Sequence, residues 1–212
     1  DMVEMSGALN TSFAKLKKMQ SPNGGFVWFS GGPDDRYITQ YIVTGIGHLK
    51  KLKGIAPAQE GYLKSILTLA IPYLDRKIKE DYDALIKNKV SLKNYSPGYT
   101  DIQYLYMRSF FPEYEIAKAS KTAYDFFRGK LAVNWTKQSK YMQGMIALAL
   151  YRTGDSKTPA AILKSLKETS IVHEELGRYW KDQRHGWFWY EMPVETQALL
   201  IEAFAEAGKD NT

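Results

Sequence analysis

Apolar positions recur at helical spacing along nearly the whole chain. Leu9, Phe13, Leu16 and Met19 mark one stripe within residues 6–19. Ile38, Tyr41, Ile42, Gly45, Ile46 and Leu49 share the face of a second helix, Tyr37 to Leu52, which stops at Gly54. Pro57 permits a new start, and Leu63, Ile66, Leu67, Ala70, Ile71, Leu74 and Ile78 form the third stripe, with Pro72 as a candidate kink. Residues 81–98 are the least periodic and read as a helix tail followed by a loop. Further helices are predicted from Thr100 to Phe111, from Glu113 to about Lys130, from Tyr141 to Tyr151, from Thr158-Pro159 through Leu166, and from Val194 to Ala207. Gly177 to Tyr190 reads as an aromatic-rich loop with room for a short hairpin.

The pattern therefore predicts eight helices and almost no strand, an all-α fold. The second, fourth, sixth and eighth helices are the more apolar; YMQGMIALALY (141–151) is apolar nearly all round. The odd-numbered helices carry one stripe and a Lys-rich face. Antiparallel hairpins with the apolar helices inside and the amphipathic ones outside give an α/α toroid of about four hairpins, or an arc of one, over residues 1–212 as a single domain.

Between the first two stripes lies QSPNGGFVWFSGGPDDRYITQ. Gly24-Gly25 gives the backbone freedom to press the following aromatics back against a neighbouring helix, and Asp34 or Asp35 is placed to cap the next helix. The order returns near the end of the chain, where Gly186, Trp187, Phe188 and Trp189 precede Pro193 and Val194-Glu195-Thr196-Gln197. Thr39-Gln40 has its counterpart in Thr196-Gln197, which reads as an internal repeat.

Composition narrows the chemistry. The chain has 212 residues, 44% hydrophobic and 25% charged, and holds no apolar run long enough to span a membrane. The 29 Lys+Arg against 23 Asp+Glu give +6, but the lysines recur singly at helix ends and polar faces, so nucleic acid is not an expected partner. With Cys 0, disulfides, thiolate metal sites and cysteine nucleophiles are excluded within these residues. His48, His173 and His185 have no partner at metal-ligand spacing, and no metal or cofactor is expected. The first residue, Asp1, lies in helix-like sequence, so a piece of a longer protein is expected, with any targeting signal outside these residues.

At these residues the chain resembles a known family, the thioester-containing domain of alpha-2-macroglobulin and complement proteins in its bacterial form. The carrying blocks are GGFVWFSGG with DDRYITQYIVTGIGHL, SKYMQGMIALALYRTGD, and WKDQRHGWFWYEMPVETQALLIEAFAEAG, in which Trp180, Asp182, Val194, Glu195 and Thr196 match a family pattern. The likeness spans about residues 6–208. It implies a non-enzymatic domain of a periplasmic or cell-surface endopeptidase inhibitor, with target proteases and the other domains of its own chain as partners. The family's Cys-x-Glu-Gln thioester is absent here and would lie N-terminal to the block around Leu9–Leu52. No His stands in the 81–98 loop, so an upstream thioester would react directly with amines. Four hairpins are fewer than that family's full domain carries, which implies an open arc with apolar edges and a tendency to dimerise.

The candidate rim residues are Phe26, Trp28, Tyr37, Thr39, Trp187, Trp189, Tyr190 and Glu195. Aromatics after a Gly turn usually wedge gaps between hairpins, but they also suit a ligand groove. Glu191 with Glu195, or Asp34 with Asp35, would be the carboxylate pair if the toroid were a carbohydrate-active enzyme. A cap explains Asp34 and Asp35 better, and a first-turn position on a helix explains Glu195 better. A scaffold without thioester chemistry is the third reading.

Overall fold

A computed structural model of the chain describes residues 2–175, 177–180 and 193–208. It is an all-α assembly of eight helices among the described residues: α1 (Met2–Lys18), α2 (Arg36–Lys51), α3 (Pro57–Lys87), α4 (Tyr99–Arg108), α5 (Lys118–Asn134), α6 (Lys140–Arg152), α7 (Lys157–Glu168) and α8 (Pro193–Glu206). Two antiparallel ribbons accompany them. β1 (Phe26–Val27) pairs with β2 (Asp34–Asp35), Phe26 opposite Asp35, and β3 (Ile171–His173) pairs with β4 (Gly177–Tyr179), Ile171 opposite Tyr179. No helix among the described residues is long and apolar enough to cross a membrane.

The helix ends follow from local chemistry. Asp35 caps α2, its Oδ1 accepting from the Ile38 N–H at 2.9 Å. Pro57 opens α3 with φ preset for a helix, and the Gln59 Oε1 accepts from the Ala56 N–H at 2.9 Å. Ser139 caps α6, and Asp155 caps α7 by accepting from the N–H groups of Lys157 and Thr158 at 2.9 and 3.1 Å and from the Thr158 hydroxyl at 2.7 Å. Burial pushes the Asp155 carboxyl up, but these hydrogen bonds outweigh it and leave the group below its ordinary value. Three helices stop by one device. Lys53 (φ 55), Lys89 (φ 54) and Gly154 (φ 92) turn left-handed, and the next N–H reaches back, Gly54 to Leu49 O, Val90 to Leu85 O and Asp155 to Leu150 O, each at 2.9 Å.

The chain divides into two compact units, Asp1–Lys93 with Phe110–Asp125, and Asn94–Ser109 with Phe126–Thr212. In the first, α1 and α2 both pack on α3. The stripe on α3 is the predicted one, with Leu63, Ile66, Leu67, Ala70, Ile71, Leu74 and Ile78 all buried. The helix runs on to Lys87, which takes in the helix tail expected at the start of residues 81–98. Pro72 lies on its exposed face, where the Thr68 carbonyl that loses its helical bond can turn to water.

In the second unit, α6 is the hub and packs against α4, α7 and α8. Seven consecutive α6 residues, Gly144 to Leu150, are buried, as a helix apolar on all sides requires. A Cβ on Gly144 would stand 3.1–3.3 Å from Leu199 and Leu200, so glycine sets the approach of α8. After its first two residues α4 is buried throughout, from Asp101 to Arg108. Arg152, at the end of α6, is 8% exposed and pairs with Glu202 and Glu206 of α8 at 2.6 and 2.7 Å. The Tyr106 hydroxyl of α4 donates to Glu202 at 2.8 Å. One guanidinium serves both carboxylates, which is what lets the Arg152 side chain lie largely inside.

Two sequence expectations shift. α5 begins at Lys118 rather than Glu113, because Phe111 to Ala117 form turns held by the Tyr114 N–H on Phe111 O at 3.2 Å. The buried face of α2 is Thr39, Gln40, Val43, Ile46 and Gly47, while Tyr41 and Leu49 are 51% and 39% exposed. The helix is rotated by about one position from the apolar stripe. Two anchors account for this. Thr39 holds the Phe26 amide on one side, and Gly47 lets Phe110 come so close that a Cβ would stand 2.6 Å from its ring.

Candidate interaction site

The stretch from Gln20 to Tyr41 is organised around one hydroxyl. Gly24, at φ 103, lies so tightly on α3 that an added Cβ would stand 2.1 Å from the Leu69 carbonyl oxygen. The turn is pinned from every side. The Ser21 N–H donates to Gly25 O at 2.7 Å, Gln20 Nε2 donates to Gly24 O and Ile66 O at 3.1 and 2.9 Å, and an Arg76 guanidinium N–H donates to Asn23 O at 2.8 Å. The chain then enters the core at Phe26, which is fully buried, and its N–H donates to the Thr39 Oγ1 at 2.8 Å. That hydroxyl donates to Asp35 O at 2.6 Å. Phe26 and Thr39 are thus structural joints, the wedge reading rather than the rim reading.

Trp28 goes the other way. It is 58% exposed and stacks on Tyr37 with centroids 6.2 Å apart and planes 14° from parallel. Tyr37 stacks on Tyr41 one helical turn later at 6.5 Å and 19°. Phe29, 65% exposed, follows Trp28 in the chain. The result is a ladder of three parallel rings, exposed at both ends, on the first turns of α2. Arg36 stands beside it in sequence, its Nε donating to Gln40 at 2.8 Å and its guanidinium paired with Asp81. A ladder of this kind offers flat aromatic faces at its exposed ends, suited to binding.

The nearby acids are occupied. Asp35 is the cap. Asp34 accepts from the Tyr73 hydroxyl, which is the main reason its carboxyl lies below the ordinary value, and from the Asn23 amide at 3.1 Å. Tyr73 itself is pushed up by burial and then by this carboxylate. Both carboxylates are thus engaged, Asp35 in the helix cap and Asp34 in the phenol bond.

Of the remaining expected residues, Glu195 lies half-buried in the first turn of α8, next to the buried Thr196, in the other unit. Gln197 donates to Arg178 O at 2.8 Å, whereas Gln40 accepts from Arg36, so the repeated Thr-Gln dipeptide serves two different bonds. Trp187, Trp189, Tyr190, Glu191 and His185 lie outside the described residues. The His48 ring packs on Phe110 at 4.9 Å, and His173 Nδ1 accepts from the Glu175 N–H at 3.2 Å. Among the described residues no group of three or more His, Cys, Asp or Glu is placed to hold a metal ion. Tyr41 is the member of the site that periodicity hid, since its position on an apolar stripe marked it for the core. The signal that identifies it is its spacing of four from Tyr37.

Compared with known proteins, the chain matches no family model and no curated sequence.

Proposed function

We propose that this chain is a non-enzymatic helical module of an alpha-2-macroglobulin-like endopeptidase inhibitor of the bacterial envelope, built as an open arc of an α/α toroid. The observation that carries the reading is the agreement between the sequence blocks of the resemblance and the joints of the fold. GGFVWFSGG supplies the turn seated on α3, DDRYITQ supplies the cap and the hydroxyl joint, and SKYMQGMIALALYRTGD supplies the hub helix α6. Helices two apart in the chain pack together at three places, α1 on α3 in one unit and α4 and α8 on α6 in the other, which supports the toroid.

In this reading the exposed ladder of Trp28, Tyr37 and Tyr41 meets another domain of the same polypeptide or the trapped protease. The covalent chemistry belongs to a thioester outside these residues. Its carbonyl would acylate a protease amine, forming an amide and freeing the cysteine thiol. The test is to expose the full-length polypeptide to an endopeptidase and analyse it under denaturing conditions. A heavy protein–protease adduct that methylamine pretreatment abolishes is the expected outcome. Protease binding without any adduct would leave a scaffold devoid of thioester chemistry, and the inhibitor reading would fail.

A second reading, carbohydrate binding, rests on the same ladder, because parallel aromatic faces also suit sugar rings. Calorimetric titration with oligosaccharides would then show binding that Trp28→Ala removes. Silence across polysaccharide classes would dispose of it.

A further inference from the structure

Within the first unit, α2, the turn that follows it, α3 and the 113–114 turn enclose a half-open cleft of about 700 Å³, within the size range of small-molecule sites. Its floor is apolar. Ile46, Leu63 and Leu67 are buried there, and Ile55 and Tyr114 line the sides. Its border is cationic: Lys50, Lys53 and Lys64 stand around it, with Glu60 and Glu113 as the acids.

These charges are not equivalent. Lys50 is engaged, paired with Glu113 and 5.7 Å from the centre of the Phe111 ring. Lys53 and Lys64 are exposed, and neither has a carboxylate partner among the described residues. Lys53 is held at the border by its left-handed backbone, φ 55, which ends α2. An apolar floor under two uncommitted ammonium groups complements a molecule with one apolar tail and one anionic head.

We propose that this cleft binds a single-chain anionic amphiphile of the fatty-acid class, its acyl chain on Ile46, Leu63 and Leu67 and its carboxylate at Lys53 and Lys64. The inference goes beyond the inhibitor reading and does not depend on it, because no thioester, protease or aromatic ladder enters it. Burial of the tail sets the affinity, about fourfold per added methylene until the floor is covered. The lysines set the sign of the head group and weaken with salt.

The test uses the 212-residue chain and three probes below their micelle concentrations: decanoate, dodecanoate and dodecyltrimethylammonium. Calorimetry should give saturable 1:1 binding of dodecanoate, weaker binding of decanoate, and at least tenfold weaker binding of the cationic probe. Lys53→Gln with Lys64→Glu should weaken dodecanoate tenfold or more without moving the thermal midpoint, since both side chains are exposed. Thr68→Trp, at an exposed position that lines the cleft, should block both chain lengths. Equal affinity for the two head groups, unsaturable uptake, or indifference to the lysine changes would overturn the proposal.

Discussion

The buried N–H of Phe26 and the hydroxyl of Thr39 form a 2.8 Å hydrogen bond across thirteen residues, and the hydroxyl in turn donates a hydrogen bond to Asp35 O. One side chain thereby ties the aromatic turn to the helix that follows. Thr39→Val keeps the shape and removes the acceptor, stranding a buried amide. The expected loss is about 1–3 kcal/mol in denaturant unfolding, with Thr39→Ser losing less than about 1 kcal/mol. Equal losses for the two variants would show that shape, not the hydroxyl, holds the joint.

Gly24 and Gly61 predict opposite outcomes for the same change. At Gly24 a methyl group meets the Leu69 carbonyl and a backbone φ of 103, so Gly24→Ala should cost on the order of 3 kcal/mol. Gly61 lies on the exposed face of α3 with nothing within 4 Å, and Gly61→Ala should add about 0.5–1 kcal/mol. Denaturation midpoints of the two variants check both signs.

Lys89 ends α3 at φ 54, where a side chain is strained and glycine is not. Lys89→Gly should raise stability by about 1 kcal/mol, measured as a shift in midpoint at unchanged denaturant slope. A loss would mean that the lysine side chain makes a compensating contact.

The Tyr106 phenol is raised well above its ordinary value, first by burial and then by the Glu202 carboxylate. Because the folded state keeps a proton that the unfolded chain releases near pH 10, this contribution is intact below about pH 10 and is lost as pH rises beyond it. Tyr73, also raised chiefly by burial, acts in the same direction. Stability should therefore fall above pH 10 by up to about 1.4 kcal/mol per pH unit for each phenol. Unfolding measured from pH 9 to 11.5 should show a shallower fall in Tyr106→Phe, and parallel curves would contradict the assignment.

Periodicity made the helices legible because burial repeats at the helical period, and the stripe on α3 is the predicted one. It placed the face of α2 wrongly because two polar or small residues decide that face. Thr39 is buried for its hydroxyl and Gly47 for its missing Cβ, and neither registers as hydrophobic. The same blindness sent Tyr41 to the core and left Trp28 undivided from Phe26, although one joins the exposed ladder and the other fills the interior. The cleft was invisible for a different reason. Lys50, Lys53 and Lys64 lie on three local segments, and only packing places them around one apolar floor. The cap at Asp35 and the turn at Gly24 were readable because each depends on local backbone chemistry.

The central claim, that this chain is the helical module of a thioester-type inhibitor, is tested most directly by titrating free thiols in the full-length polypeptide before and after methylamine, with its mass read alongside. Release of one thiol per molecule with a matching methylamine adduct is the expected result. A mass and thiol count unchanged by methylamine would contradict it.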